Sequence, residues 1–460
     1  MCGIVGISHH KEAGKMAFLG LYALQHRGEE AAGIVTYDGK DTHVIKRTGL
    51  AVDNFDEDNI GKLKGHVAIA HTRYSTTGGS NIKNTQPILV THRKKPIALA
   101  HNGNLTNTEG LYAKLEDEGS IFQTSMDSEI IVHLLAKSSN GDLKTWFTKV
   151  LAQLKGAFST VFLYEDHIIG ARDPQGFRPL CLGKLGDGYI LASESCAFDL
   201  MKAEFVREVQ PGEVVIIKGN KIESVFLPGA PKESKAYCIF ENVYFARPDS
   251  HIFGDNVYQV RKRLGAQLAK EHPAQADFVM GIPDSGNYAA LGYAQELDIP
   301  FEIGMIRNHY IGRTFIQPTQ FLRDFRVRVK LNPIREMIKG KRVIVVEDSI
   351  VRGTTSRNRI QEIREAGAKE IHMRISCPPI ISPCFYGIDF PSTKELIAHN
   401  KTVQEIAGFI KVDSLGYLSL EGMLSVMKEK GSFCTACFTG KYPVPIPKNT
   451  DKLQLECRGA

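Results

Sequence analysis

The chain has 460 residues, with 57 Lys and Arg against 51 Asp and Glu, and 43% of it is hydrophobic. That much apolar material excludes disorder as the main state, because burial can offset chain entropy, and at roughly 100–200 residues per domain the length suggests two or three domains. The formal charge of +6 is small for this length and excludes a dedicated nucleic-acid binder, while leaving a preference for small anionic ligands open.

The N-terminus, Met1-Cys2-Gly3-Ile4-Val5-Gly6, lacks the basic and apolar regions of a secretory signal. No run of about 18 apolar residues follows that would span a membrane. A cytoplasmic location is expected. Up to about residue 230, β-rich runs alternate with helical patterns. The runs include Val67-Ala68-Ile69-Ala70, Ile97-Ala98-Leu99-Ala100 and Ser159-Thr160-Val161-Phe162-Leu163, and the helical patterns cover 16–25 and 128–137. This rhythm predicts a layered α+β domain. The breaker-rich stretch 227–232 reads as a linker, dividing the chain into 2–232 and 233–460.

Cys2 directly follows the initiator methionine. Removal of Met1 would give it a free α-amine with a pKa of about 7.7–8.0, beside a thiol of about 8.5. The amine can then accept the thiol proton, a self-contained nucleophile and base. Taken alone, Cys2 is equally compatible with an incidental small hydrophobe. Four further segments bear on it. Leu24-Gln25-His26-Arg27-Gly28 closes a helix with glycine, and Ala70-His71-Thr72-Arg73-Tyr74 ends a strand with a cation. Ala100-His101-Asn102-Gly103-Asn104 ends another strand, and Ser125-Met126-Asp127-Ser128-Glu129 opens a helix with acids. An amide substrate with an amino-acid end needs a cation, an acid and two oxyanion donors. Arg73, Asp127, and the Asn102 side chain with the Gly103 N–H fit those needs. Each has a plainer reading: a surface charge, a helix N-cap, or a hairpin turn.

Together, Met-Cys-Gly-Ile-Val-Gly, His26-Arg27-Gly28, His71-Thr72-Arg73-Tyr74 and His101-Asn102-Gly103-Asn104 resemble the glutaminase domain of the N-terminal-nucleophile amidotransferases. The resemblance implies a four-layer αββα Ntn-hydrolase fold. It also implies that Cys2 attacks the glutamine side-chain amide, that Asn102 and Gly103 form the oxyanion hole, and that Arg73 and Asp127 hold the amino-acid end. Loss of the methionine alone is expected to mature the chain.

Beyond the linker, apolar strands run into polar loops and then helices. Asp277-Phe278-Val279-Met280-Gly281 leads to Pro283-Asp284-Ser285-Gly286, and Arg342-Val343-Ile344-Val345-Val346 leads to Glu347-Asp348-Ser349. This predicts a parallel sheet with helices on both faces and ligands at the carboxyl ends of its strands. Residues 343–355, VIVVEDSIVRGTT, deliver two adjacent acids followed by Gly and two Thr at a helix start. Acids suit ribose hydroxyls, and backbone N–H groups with hydroxyls suit a 5′-phosphate. The Walker A pattern is absent.

This segment resembles the signature of type I phosphoribosyltransferases, with Glu347-Asp348 where similar members carry Asp-Asp. The resemblance implies that Glu347, Asp348, Ser349, Val351, Arg352, Gly353, Thr354 and Thr355 bind phosphoribosyl pyrophosphate. Mg²⁺ is then held near Ser285, Glu347 and Asp348. Residues 307–318 look like the family's mobile loop, with Arg313, and Lys330 beyond it, as further anion contacts.

Nine cysteines, an odd number over a long chain, argue against a disulfide framework. Cys434-Thr435-Ala436-Cys437 alone is compatible with zinc, redox chemistry or chance. Both halves together resemble the glutamine phosphoribosyl pyrophosphate amidotransferases, which open purine synthesis. Some members hold a [4Fe–4S] cluster at the positions filled here by Cys238, Cys384, Cys434 and Cys437. The resemblance also implies a homotetramer and feedback by purine nucleotides. Cys181, Cys196, Cys377 and Cys457 are expected to be packing residues, Trp146 a core residue, and 441–460 an extended tail. Two other readings fit parts of the sequence: a non-catalytic sensor of phosphoribosyl pyrophosphate, and a sugar-phosphate amidotransferase sharing only the first domain.

Overall fold

The strand Gly3–Ser8 is buried at all six positions, so both of its faces must be covered by other layers. The computed structural model describes residues 1–75, 81–138, 141–230, 235–308, 331–390 and 392–447. Among these, Gly3–Ser8 is the middle of a seven-stranded antiparallel sheet. Its order is Glu204–Glu208, Cys181–Leu185, Gly188–Ala192, Gly3–Ser8, Val67–Arg73, Ala31–Tyr37 and Thr42–Thr48. A six-stranded antiparallel sheet packs on it, ordered Lys221–Phe226, Glu213–Lys218, His167–Arg172, Gly156–Tyr164, Lys95–Leu105 and Ile88–His92.

Three apolar clusters separate the layers. Ile4, Val161, Leu191 and Val215 meet between the sheets. Ala17 and Leu21 of the helix Ala13–Ala23 cover the outer face of the first sheet, against Val5 and Ala70. Ile131, Leu135 and Phe147 cover the second, against Leu99 and Phe162. This is the αββα arrangement expected. Trp146 is core, and its indole N–H donates to Leu135 O at 2.9 Å.

The first helix ends earlier than the sequence suggests. It stops at Ala23, and Gln25–Arg27 forms a 3-10 turn. Gly28 is extended, with φ −166°, so it does not terminate a helix through a left-handed bend. It is glycine because a Cβ there would lie 2.5 Å from the Arg73 carbonyl carbon.

In the second half, Phe278–Gly281, Arg342–Glu347, Glu370–Ile375 and Ser414–Tyr417 form a parallel sheet. The helices Val257–Glu271, Gly286–Leu297, Thr354–Glu365 and Val403–Ile410 share its core. The expected tail is partly pinned: Val444 is buried, and its carbonyl and N–H bond the Tyr386 hydroxyl at 2.6 and 3.0 Å. Residues 448–460, including Cys457, lie outside the described residues, as do 231–234 of the proposed linker.

The halves are joined through buried charge. Arg27, Arg178 and Glu194 of the first half and Glu241 of the second have fully buried side chains. Arg27 Nη2 donates to Glu241 Oε1 at 2.9 Å and Nη1 to Oε2 at 3.1 Å, and Arg27 also pairs with Glu194. Arg178 Nη1 reaches Glu241 Oε1 at 3.4 Å. Burial opposes the charge on Arg27, but Glu241 and Glu194 outweigh it and raise its pKa. Burial likewise opposes ionisation of Glu194, and His26 and Arg27 overcome it. Removing one member of such a network leaves an uncompensated buried charge, at about 3–5 kcal/mol. Glu241→Ala should therefore lower the unfolding free energy by about that amount, read from urea denaturation of the full chain. A change below about 1 kcal/mol would show that the network does not hold the halves together.

Candidate active sites

Cys2 immediately precedes the central strand, where the ends of the two sheets meet. Its backbone N–H donates to Asn102 Oδ1 at 3.2 Å, and its Sγ lies 3.5 Å from the Tyr74 carbonyl. The next residue, Gly3, donates to Thr72 Oγ1 at 3.2 Å. Arg27 Nε donates to the Cys2 carbonyl at 2.9 Å. The nucleophile candidate is thus fixed from both sheets and from the buried charge network. With Met1 present, Cys2 N is an amide and cannot serve as a base. Burial lowers the Met1 amine to about 5, with Cys2, Arg27, Arg178 and Glu241 as lesser electrostatic influences. The Met1 side chain packs into the core of the second half.

Asn102 and Gly103 lie inside the strand Lys95–Leu105, not in a hairpin turn. Asn102 is 1% exposed, and its Nδ2 is buried with no hydrogen-bond partner among the described residues. Such a donor costs on the order of 1–3 kcal/mol, and an aimed, unpaired donor is what a developing oxyanion requires. Across the strand pair, Gly103 faces Phe158. Phe158 directs both its N–H, at 3.1 Å, and its carbonyl, at 2.8 Å, to Asp173 on its other side. Gly103 and Phe158 therefore form a non-hydrogen-bonded pair, in which the Gly103 N–H points away from that neighbour.

Arg73 is not a surface charge: it is 3% exposed at the end of Val67–Arg73 and lies 3.8 Å from Glu30. Asp127 precedes the helix Ser128–Lys137 but makes no side-chain cap. It accepts the Leu105 N–H at 2.9 Å and the Ser128 hydroxyl at 3.2 Å, and lies 3.6 Å from His101 Nδ1. Burial acts against its charge, and His101 with these hydrogen bonds more than compensates, so its pKa is lowered. A buried anion is therefore retained two residues along from Gly103 at Leu105.

At the carboxyl end of the parallel sheet, Glu347 and Asp348 are 9% and 8% exposed. Glu347 Oε2 accepts from Ser356 Oγ at 2.8 Å. Asp348 accepts from Ser285 Oγ at 2.5 Å and from Ser349 Oγ at 2.6 Å. Ser285 thus joins the site from the preceding strand–helix junction, as expected. Burial and the adjacent Asp348 push Glu347 up to about 8, and burial also raises Asp348. Two buried carboxyls so disfavoured as anions suit a cation or a sugar polyol.

Gly353 has φ +78° and begins the helix Thr354–Glu365, whose first turn holds no acid. Thr354 and Thr355 are exposed there. The Val351 carbonyl accepts the Ile397 N–H at 3.0 Å. Arg352 is exposed and bonds Glu395 at 3.0 Å. Arg313 and Lys330 lie outside the described residues. Sequence reasoning missed Ser356, Arg261 and the charge network. Ser356 sits one turn into the helix, a place legible only once Glu347 is seen to turn back. Arg261 is buried within the electrostatic reach of Asp348, yet is distant from it in sequence.

The strand Tyr237–Cys238 pairs in parallel with Phe433–Cys434, setting Cys238 opposite Cys434. Cys238, Cys384, Cys434 and Cys437 are all free and lie within electrostatic reach of one another. Burial pushes the Cys238 thiol to about 11 and raises Cys434 and Cys437 as well. The Tyr386 N–H approaches Cys384 Sγ at 3.3 Å. Among the described residues, no three His, Cys, Asp or Glu side chains meet as a metal-holding group. A tetrahedral zinc, with bonds of about 2.3 Å, would need its sulfurs roughly 4 Å apart; a cubane places each thiolate on a different iron and so spreads them further. The expected ligand set is thus gathered in one region, but not as a preformed single-ion cage.

A family model for a glutamine amidotransferase domain matches residues 71–199, and one for a phosphoribosyl transferase domain matches 254–409. The chain is 48% identical to an amidophosphoribosyltransferase of Archaeoglobus fulgidus, covering 97% of this chain and 99% of that protein. It is 47% identical to an amidophosphoribosyltransferase of Bacillus subtilis, covering 98% and 95%. A solved allosteric regulatory enzyme of purine biosynthesis superposes with a TM-score of 0.93 at 47% identity, covering 98% of both chains. A B. subtilis glutamine phosphoribosylpyrophosphate amidotransferase complexed with ADP and GMP gives 0.91 at 46% identity, covering 98% and 99%. The chain matches both domain models and aligns with these amidophosphoribosyltransferases over nearly their full length, so neither the sensor nor the single-domain alternative has support. No helix among the described residues is long and apolar enough to cross a membrane.

Beneath the first site, His71 is fully buried, and its Nε2 lies 3.2 Å from the His101 carbonyl. Burial, with the Arg73 charge next, lowers its pKa to about 3. Between about pH 6.5 and 3 the unfolded chain takes up a proton that the folded chain refuses, so this contribution to stability is lost as pH falls. The full window is worth up to about 5 kcal/mol. His71→Asn should show a flatter loss of unfolding free energy between pH 6.5 and 4 than the parent chain; parallel slopes would contradict the assignment.

Proposed function

The chain belongs to the amidophosphoribosyltransferase family, and on that footing we propose that it hydrolyses glutamine at Cys2 and passes the ammonia to C1 of phosphoribosyl pyrophosphate. The products are glutamate, 5-phosphoribosylamine and pyrophosphate, and the step opens purine synthesis. The observation that carries the first half is that the Cys2 N–H is held by Asn102 Oδ1 while Nδ2 of the same amide is buried without a partner among the described residues.

Excision of Met1 frees the Cys2 amine beside Asn102 Oδ1, which already holds that nitrogen. The amine takes the thiol proton, and Sγ attacks the carboxamide carbon of glutamine. The oxyanion is received by Asn102 Nδ2 and the Gly103 N–H. As the tetrahedral species collapses, the ammonium group of Cys2 returns the proton to the departing ammonia, leaving a thioester. Water, deprotonated by the same amine, then releases glutamate. Arg73 receives the substrate carboxylate and Asp127 its ammonium.

In the second half, Glu347 and Asp348 bind the ribose hydroxyls. The 349–355 loop offers backbone N–H groups and the hydroxyls of Ser349, Thr354 and Thr355 to the 5′-phosphate. Ser285, Glu347 and Asp348 would hold Mg²⁺, which when bound neutralises charge on the leaving pyrophosphate; the two charge-starved carboxyls fit that role. Arg313 and Lys330 are further pyrophosphate contacts in this reading. The boundary near 232 separates the two activities.

Cys238, Cys384, Cys434 and Cys437 would hold a [4Fe–4S] cluster, supplying a structural cross-link at the domain junction. Their shared burial and the Tyr386 N–H beside Cys384 support this. Cytoplasmic location suits the free state of the eight described cysteines. Homotetrameric assembly and inhibition by purine nucleotides complete the proposal, the latter supported by the relative solved with ADP and GMP.

Cys2→Ala should lower glutamine-dependent phosphoribosylamine formation by about three orders of magnitude or more and leave ammonia-dependent formation intact. An unchanged glutamine reaction would remove Cys2 from the mechanism. For the cysteines, the anaerobically purified chain should carry about four irons and four sulfides with broad visible absorption; stoichiometric zinc without iron would refute the cluster.

A further inference from the structure

The 385–387 segment belongs to the second half by sequence, yet it touches the strand that carries the oxyanion donors. Gly387 has φ +102°, and a Cβ there would lie 3.0 Å from Gly103 C and 3.1 Å from Gly103 O. On its other side Gly103, with φ +155°, has no room either: its own Cβ would fall 2.0 Å from the Ala157 carbonyl oxygen. The Gly103 peptide is therefore enclosed by its own sheet and by Gly387. One residue on, Asn104 Nδ2 donates to the Phe385 carbonyl at 3.0 Å.

The segment is itself rigidly held. The Tyr386 carbonyl accepts from Arg178 Nε at 3.0 Å and Nη2 at 2.5 Å. The Tyr386 ring stacks on Phe177 with centroids 4.2 Å apart, and its hydroxyl is bound to Val444. Arg178 continues to Glu241, Glu241 to Arg27, and Arg27 to the Cys2 carbonyl. One buried chain of contacts thus reaches the Cys2 carbonyl at one end and, at the other, the Tyr386 carbonyl beside the glycine that packs on Gly103, and its central carboxylate belongs to the second half.

From this geometry we infer that the 385–387 segment is a positioning element for glutamine hydrolysis: Gly387 and the Phe385 carbonyl set the Gly103 peptide from outside its own domain. The inference rests on the assignment of Gly103 to the oxyanion hole made above. Gly387 and Phe385 touch no substrate; they act through Gly103 and Asn104. Donors must stay within a few tenths of an ångström of the oxyanion to retain their effect, and loss of one such donor costs about 100- to 1,000-fold in kcat. Displacing rather than removing one should cost less.

The test uses the full chain. In Gly387→Ala the added methyl must push on Gly103, and kcat with glutamine should fall at least about tenfold, with KM for glutamine and the ammonia-dependent rate within about twofold of the parent. Asn104→Ala removes the bond to Phe385 without straining the backbone and should show the same pattern at about three- to tenfold. Alkylation of Cys2 by iodoacetamide builds no oxyanion, so its rate should be unchanged in both variants. A general loss of structure would instead depress all three readouts together.

Parent-like glutamine kcat in a folded Gly387→Ala chain overturns the inference, as does equal loss of the glutamine, ammonia and alkylation rates. If Gly387→Ala fails to fold, Asn104→Ala decides alone. Retention of glutamine-dependent activity by Cys2→Ala would instead mark failure of the underlying functional reading, a separate result obtained on a different residue.

Discussion

Glu241 sits between two fully buried guanidinium groups that come from the other half of the chain. Neither half can tolerate this arrangement alone. Without Glu241, Arg27 and Arg178 would be desolvated against each other with only Glu194 to compensate; without the arginines, Glu241 would be an isolated buried anion. Docking of the two halves is therefore an electrostatic requirement as well as an apolar one. The consequence reaches the chemistry, because the same Arg27 that binds Glu241 also holds the Cys2 carbonyl.

Some of the polar groups that this molecule leaves poorly satisfied lie where reaction is proposed, while others, such as His167 Nδ1, Arg172 Nε and Tyr417 Oη, do not. Asn102 Nδ2 is buried without a partner among the described residues, while its Oδ1 accepts the Cys2 N–H. Glu347 and Asp348 are buried side by side with hydroxyls as their hydrogen-bond partners, and burial raises both. Other ion pairs are well compensated: Arg207 and Glu213 pair at 2.7 Å, and Glu194 is met by both His26 and Arg27. A group meant to bind a ligand must forgo some internal partner, and the cost is returned when the ligand arrives.

Much of the architecture was legible because burial on both faces leaves a continuous apolar run. Val67–Arg73 and Arg342–Glu347 read as strands for that reason. Boundaries were less legible. Asn-Gly at 102–103 carries the composition of a hairpin turn, but the strand continues to Leu105 because the pair is held between Ala157 and the 385–387 segment. Gly28 resembled a helix stop, whereas its glycine answers a close approach by Arg73 from a neighbouring strand. The ion-pair partner of Arg352 is Glu395, 43 positions along the chain. In each case the deciding neighbour is distant in sequence, and no local pattern announces it.

The two candidate sites differ in the same respect. The carboxylate loop is local: strand, acids, loop and helix start fall within about a dozen consecutive residues, and its main outside partner, Ser285, arrives from the preceding strand–helix unit of the same sheet. A parallel strand–loop–helix unit builds such a site wherever it occurs, so a short motif suffices to reveal it. The cysteine site is assembled from the chain terminus, the ends of strands in two sheets, a helix start, and a loop of the other half. No single stretch could encode it, and the residues acquire meaning only through their order and through resemblance. That dispersal also explains why the charge network had to come from the structure. A nucleophile built from the end of a chain has one covalent neighbour instead of two, so non-covalent contacts must supply the restraint that the missing peptide would have given. Here Asn102, Thr72 and Arg27 act at or next to Cys2, and Arg27 in turn depends on a carboxylate from the other half of the chain.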